Sequence, residues 1–454
     1  MQKTMDMTTG SPFKKILIFS LPIAFGLMFQ NLYTLGDSLI VSLSRGQNAV
    51  TGLNLTESLS FLILGFGSGI AAGFGILLSQ YVGAKNADKM RQSFATSIML
   101  TIAVSVVMTV LTVLLAPTLL RILNTNELYF DHALAYITTI FAGFGGIMFY
   151  NLSAQILRAL GDSTTPLIIL VISAILNLLL DSLLFITDWG IAWAGWATVI
   201  SQAISALIGF IIIFKKHPAL RLKKTDFRFS LSFAWRHLAT GLPMGFQFTI
   251  TAIGCMIQQR AFNSLPDSGY AMAQSTACKI DNVFSSLLMG AANTMAIYVG
   301  QNFGANNLQR VKDGIKAALL VGVIYSLLAF GLILPLCMPF GKILLKGSED
   351  KIYGWIFKYI LTQSSFYYFV YVLMMFRQSL QSLGYSALTV FGGVTELLFR
   401  LFAAMVLATN FGFTGACFSN PCAWIGGAVF FTVAYLVIIK KLEKKSQTGN
   451  IFEQ

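Results

Sequence analysis

The chain has 454 residues, 56% of them hydrophobic and only 11% charged, with a formal net charge of +13. A soluble domain carries about 25% charged residues, so this chain has too little charge to cover a water-exposed surface, and lipid must solvate much of it. The basic excess sits in short loops between apolar stretches, with no arginine-rich tract and interleaved aromatics, which argues against a nucleic-acid-binding protein.

A spanning helix needs about 20 mostly apolar residues. Twelve such stretches are predicted, at 15–40, 53–79, 93–117, 132–157, 164–186, 192–214, 237–260, 270–299, 314–340, 354–380, 386–409 and 415–439. Helices are the expected solution, because each backbone donor must be satisfied inside the hydrocarbon. The first apolar run, Ile16 to Val41, is longer than a signal-peptide core and no small-residue cleavage site follows it, so it is expected to stay as a span. With the N-terminus inside, 21 of the 31 Lys and Arg fall on the cytoplasmic side, seven on the other side, and Lys279, Arg377 and Arg400 within spans. That bias predicts both termini in the cytoplasm and a multi-pass protein of the cell (inner) membrane. The longest basic loop, Lys215 to Arg236, reads as a linker. It divides the chain into a six-helix lobe at 1–214, the linker at 215–236, a second six-helix lobe at 237–440 and a tail at 441–454. The five cysteines form no CxxC pattern and read as small buried hydrophobes, so no disulfide is expected. His132, His217 and His237 are scattered, so no metal site built on histidine is expected.

A duplication supports the two-lobe reading. Leu21-Pro22 recurs as Leu242-Pro243, Phe25 as Phe246, Gly69 as Gly290, and Gln80-x-x-Gly83-Ala84-x-Asn86 as Gln301-x-x-Gly304-Ala305-x-Asn307, all at an offset of 221. Arg91 aligns with Lys312 at the same offset, and Leu160-Gly161 recurs as Leu383-Gly384 at 223. Six spans per copy make the two copies parallel, a transporter plan in which two similar lobes rock to open alternately.

Leu21-Pro22 and Gly36-Asp37 in the first span, QYVGAKN at 80–86, and the second copies GLP at 241–243 and GQNFGANN at 300–307 together resemble the multidrug and toxic compound extrusion (MATE) transporters. The resemblance covers about residues 12–440. It implies an all-α membrane protein of twelve transmembrane helices in two pseudo-symmetric six-helix bundles forming a V. It also implies a secondary antiporter that exports small amphipathic, often cationic, organic compounds in exchange for H⁺ or Na⁺. No enzyme motif is present: there is no HExxH, GxSxG or P-loop. A lipid or lipid-linked oligosaccharide flippase of related architecture is the rival reading. It would need a cationic cavity, for which Arg377 is the one strong candidate.

Ionisable residues inside spans are costly and read as functional. The first lobe has two acids, Asp37 in span one and Asp181 in span five. Gln30, Tyr33 and Asp37 share a helix face at i, i+3, i+7, and Asn177 and Asp181 share one at i, i+4. Thr198 on span six reaches comparable depth. Carboxylate, amide and hydroxyl oxygens suit a hard cation, and two close carboxylates also hold a proton more tightly, so Na⁺ and H⁺ both remain open. In the family, a helix 1 Asp, a helix 5 Asn-x-x-x-Asp and a helix 6 Thr form the coupling site of a bacterial and archaeal branch. Asp37, Asn177, Asp181 and Thr198 match that pattern, with Asn151 as an outlying candidate. The second lobe lacks the acidic pair: the offsets put Gln258 at the place of Asp37, and Arg400 and Ala404 at those of Asn177 and Asp181. Glu396 and Arg400, at i, i+4, are expected to pair with each other, while Lys279 and Asp281 each need a partner elsewhere. Helix 7 of another branch carries a Glu; Pro243 to Gln259 holds none here. Met28, Phe29, Phe149, Tyr150, Tyr367, Tyr371, Met374 and Arg377 are candidates for the wall of a substrate cavity, since aromatic faces suit organic cations and Met suits promiscuous packing. The expected partners are a small organic substrate and the lipid bilayer, with no nucleic acid, and the chain is expected to act as a monomer with no cofactor beyond the coupling H⁺ or Na⁺.

Overall fold

The computed structural model describes residues 4–123, 125–187, 189–228, 230–346 and 349–446, without the side chains of residues 35, 37–39, 42, 45, 47, 48, 50 and 54. Fifteen α-helices occur among the described residues, and no strand. They are α1 (Pro12–Arg45), α2 (Gln47–Gly83), α3 (Ala87–Ile122), α4 (Glu127–Ala142), α5 (Phe144–Ala159), α6 (Thr164–Ser182), α7 (Ala192–Lys216), α8 (Leu231–Asn263), α9 (Gly269–Gly304), α10 (Leu308–Leu344), α11 (Asp350–Ser365), α12 (Tyr367–Ser382), α13 (Leu388–Phe402), α14 (Ala408–Cys417) and α15 (Ser419–Ser446). Ten continuous helical stretches are long and apolar enough to cross a membrane, and there are twelve if the bent pairs α4–α5 and α11–α12 each count as one span. Those two breaks, of 51° and 47°, fall at Gly143 and Phe366, which correspond at the 223 offset. The expected loop at 410–414 is instead helical except at Gly412, whose φ of +56° leaves the helical region.

The chain divides into two compact units. One comprises Met1–Asn31 with Ile250–Gln454, the other Leu32–Thr249. Both cuts fall within helices, α1 and α8.

Within the second unit, the start of α8 lies backbone to backbone on α2. A methyl group built on Gly73 would lie 2.5 Å from the Gly241 Cα, and one on Gly69 would lie 2.7 Å from the Met244 carbonyl. Within the first unit, the start of α1 lies on α9 in the same way, and a methyl on Gly290 would sit 2.5 Å from the Ala24 Cα. Small residues allow this approach, and close backbone packing is the main attraction between helices in lipid. The Leu-Pro motif and the Gly69/Gly290 pair are thus two sides of one contact, made twice. In each case the lead helix of one repeat packs on the second helix of the other.

The motif at 80–86 and 301–307 is a helix–turn–helix joint. Lys85 and Asn306 take left-handed φ values of 54° and 56°. Asn86 then caps α3 by accepting from the Lys89 N–H, and Asn307 caps α10 by accepting from the Arg310 N–H, each at 3.0 Å. A side-chain acceptor at this position satisfies one of the orphan donors of the first turn. Leu160-Gly161 and Leu383-Gly384 end their helices with glycine at φ 85° and 89°, where a side chain would be strained.

Each joint also holds the segment that leads into a repeat. In the first unit, Met7 is fully buried. Its N–H donates to Gln301 Oε1 at 3.0 Å, its carbonyl accepts from Asn302 Nδ2 and Arg310 Nε at 3.1 Å each, and Arg310 also donates to the Thr9 carbonyl at 2.7 Å. In the second unit, Arg91 Nε lies 3.5 Å from Asp226 Oδ2 in the 3₁₀ turn Lys224–Phe227, which precedes α8.

Candidate functional site

Asn177 and Asp181 lie one turn apart on α6 and are only 2% and 1% exposed. Asn177 Nδ2 donates to Thr198 Oγ1 on α7 at 3.4 Å, and Thr198 Oγ1 in turn donates to the Ala194 carbonyl at 3.2 Å. The Asn177 Oδ1 is enclosed and meets no donor among the described residues. A buried amide oxygen without a donor is destabilising, and a cation would relieve it. Trp193 Nε1 donates to the Leu180 carbonyl at 2.8 Å, clamping the start of α7 to α6 one residue before Asp181. Val41, Ala49, Leu53, Leu184, Ile191 and Ala194 form an apolar cluster with Trp193 and Tyr136 against it. Trp193 was not among the sequence candidates; an indole near a helix start reads as an ordinary membrane aromatic.

α1 passes the same place. Gly36 faces Leu178 of α6, with 3.5 Å from a methyl built on Gly36 to Leu178 Cδ2. Asp37 follows Gly36 on α1, and its side chain lies outside the described residues. Tyr33 is half-buried and Gln30 exposed. Asn151 uses its amide within its own helix, donating to the Ile147 carbonyl at 3.0 Å. Among the described residues no three His, Cys, Asp or Glu side chains form a metal-sized group. The oxygens that the described residues bring together here are those of the Asn177 amide, the Thr198 hydroxyl and, one turn along α6, the Asp181 carboxylate.

The residues expected to wall a cavity have separate fates. Met28, Phe29, Tyr150 and Met374 are half-buried, and Phe149 packs edge-to-face on Phe210 at 5.9 Å. Tyr371 has no exposed surface; its ring fills the space left by Gly322 of α10 and its hydroxyl donates to the Ala318 carbonyl at 2.7 Å. It is a helix-packing residue, which corrects the cavity expectation. Tyr367, 1% exposed, donates to Asp281 Oδ1 at 2.7 Å and so supplies the partner that Asp281 needed.

The expected Glu396–Arg400 pair is also corrected. The guanidinium in contact with Glu396 is that of Arg377, with Nη1 to Oε1 at 3.5 Å. Arg400 adds its field to that carboxylate without reaching ion-pair distance. Its guanidinium is directed instead at Gly254 of α8, where a methyl would lie 2.3 Å from Nη1. Arg377 is accordingly a buried partner of Glu396, 8% exposed.

Duplicated helical halves, buried polar groups inside an apolar bundle and paired helix breaks are the plan of a polytopic membrane transporter. A family model described as MatE matches the chain twice, over residues 22–183 and 243–406, so each repeat is recognised separately and most of the chain is covered. The chain therefore belongs to the MATE family: it is a multi-pass membrane efflux transporter, with small molecules as substrates, and not an enzyme. Its relatives include the "Probable multidrug resistance protein YpnP" of Bacillus subtilis (strain 168), 28% identical over 317 residues, covering 68% of this chain and 69% of that protein. The "FAD transporter" of Shewanella oneidensis is 22% identical over 381 residues, covering 82% and 83%. A solved transporter of the MOP superfamily from Pyrococcus furiosus superposes with a TM-score of 0.90 at 19% identity, over 97% of this chain and 100% of that one.

Proposed function

We propose that this transporter is a multidrug antiporter of the cell membrane, acting as a monomer with both termini cytoplasmic, and that H⁺ or Na⁺ entering at Asp37, Asn177, Asp181 and Thr198 drives export. The observation that carries the reading is the enclosed Asn177 oxygen one turn from a buried carboxylate, with Thr198 across the seam. A carboxylate inside a membrane span is costly when charged, and binding of a proton or a metal ion offsets that cost. Occupancy then favours whichever conformation encloses the neutralised site, and each inward charge gains about 2.3 kcal/mol per 100 mV. The resistance protein from Bacillus supports amphipathic drugs as cargo. The name of the Shewanella relative supports a second class, aromatic compounds bearing phosphate.

The test uses the full chain in proteoliposomes, following ethidium under an imposed pH gradient and, separately, an imposed Na⁺ gradient. One gradient should drive transport. Asp181→Asn should reduce that gradient-driven flux at least about tenfold while the protein stays monodisperse. Undiminished driven flux in both Asp37→Asn and Asp181→Asn removes the coupling site from this place.

A further inference from the structure

The first unit carries a buried site of the opposite charge. Arg377 on α12, Glu396 and Arg400 on α13 are 8%, 6% and 4% exposed. Glu396 pairs with Arg377 alone, which leaves the charge of Arg400 unmatched, a net +1, in the interior of an apolar bundle. Arginine cannot shed its proton there, so the imbalance needs an anion. Among the described residues no carboxylate comes within ion-pair distance of Arg400. Among the described acids of this unit, Asp281 is bonded to Tyr367, Asp267 and Glu349 meet Lys351, Glu443 meets Lys312, and Asp313 accepts from Gln309. Asp350 starts α11, and Asp6 accepts from Thr8 in the N-terminal segment. Arg400 makes no hydrogen bond or ion pair among the described residues, and its enclosed Nε, like that of Arg377, has no acceptor.

The surroundings are shaped for that guanidinium. Gly254 leaves the space Arg400 occupies. A π-turn, Ala403–Leu407, follows directly after α13, and such turns recur where a helix is adapted for a site. At the 223 offset Arg400 holds the place of Asn177, and at the 221 offset Gly254 holds that of Tyr33. The position that carries an amide beside an acid in one repeat carries a cation in the other.

We infer that Arg400 and Arg377 form an oxyanion-binding site that takes the phosphate or carboxylate of an aromatic, amphipathic substrate, with Glu396 holding Arg377 in place. This rests on the chain being a transporter but not on the identity of its coupling ion. Guanidiniums suit such groups because their planar forks match two oxygens at once. Zwitterionic and anionic cargo then falls within reach of the same protein as cationic cargo.

Riboflavin and its 5′-phosphate, flavin mononucleotide, share one ring system and differ in the phosphate. Binding of both to the full-length protein in a phosphate-free detergent, read by flavin fluorescence, is expected to favour the phosphorylated form by about tenfold or more. Arg400→Gln removes that preference, Arg400→Lys restores only part of it, and Glu396→Gln increases it. Equal binding of the two flavins, or a preference that survives Arg400→Gln in monodisperse protein, overturns the proposal. Phosphatidylglycerol, titrated in, separates the sources of the phosphate: if a few molecules per protein abolish the preference, the site belongs to lipid headgroups and the substrate assignment falls. Ethidium flux measured in parallel keeps the two readings apart, since failure there with the flavin preference intact counts against multidrug antiport and not against the anion site.

Discussion

Asn177 and Arg400 hold corresponding places in the two repeats, and their surroundings decide what each can do. Asn177 keeps a donor for Thr198 and leaves an acceptor enclosed, which is the arrangement the proposed cation site calls for. Arg400 has donors and no acceptor, which is the complementary case. Glu396 is the ion-pair partner of Arg377 and has the larger structural burden. Glu396→Ala leaves Arg377 buried without its counter-charge and is expected to lower stability by about 3–5 kcal/mol. Arg400→Gln, which discards an unmatched charge, is expected to leave the melting temperature unchanged or raise it. Melting followed by size-exclusion in detergent separates the two, and equal losses in both variants would mean that Arg400 already has a counter-charge. The i, i+4 spacing of Glu396 and Arg400 made a pair between them plausible. It could not reveal that the long Arg400 side chain points toward a glycine on α8, because that choice depends on space provided from 146 positions away.

Among the helices, the repeated glycines are the parts most exposed to change. Gly290→Leu places a side chain where the Ala24 backbone already lies 2.5 Å from the first carbon. α1 and α9 must separate, at a loss of about 1–3 kcal/mol or more, read as a lower melting temperature. Gly331, with nothing within 4 Å of a built methyl, is the matched control: Gly331→Leu is expected to be tolerated, and equal damage at both positions would count against close packing as the cause. The spans themselves were legible from apolar runs, since a membrane leaves only helices as solutions. The bends at Gly143 and Phe366 were not legible, because the apolar run continues through both breaks and only neighbouring helices make them worthwhile. The roles of the duplicated Gln-x-x-Gly-Ala-x-Asn motif were also hidden. A capping Asn can be guessed from local sequence, whereas the burial of Met7 beneath Gln301 and Arg310 joins residues some 300 apart.

For the molecule as a whole, the Lys and Arg distribution predicts the topology. A C-terminal fusion to alkaline phosphatase should be inactive in cells, and a C-terminal green fluorescent protein should fluoresce; the reverse pattern places the tail outside and inverts the orientation argued for the coupling site. The sequence by itself determined the membrane solvent and the duplication, because these follow from composition and from residues at constant register, and its motifs carried the resemblance to the family. Only the tertiary structure decided that the compact units cut through α1 and α8, that Tyr371 packs against a helix rather than lining a cavity, and that Glu396 meets Arg377. Those outcomes depend on which side chains find space and unmet hydrogen-bond partners on distant helices, and one-dimensional spacing carries no record of either.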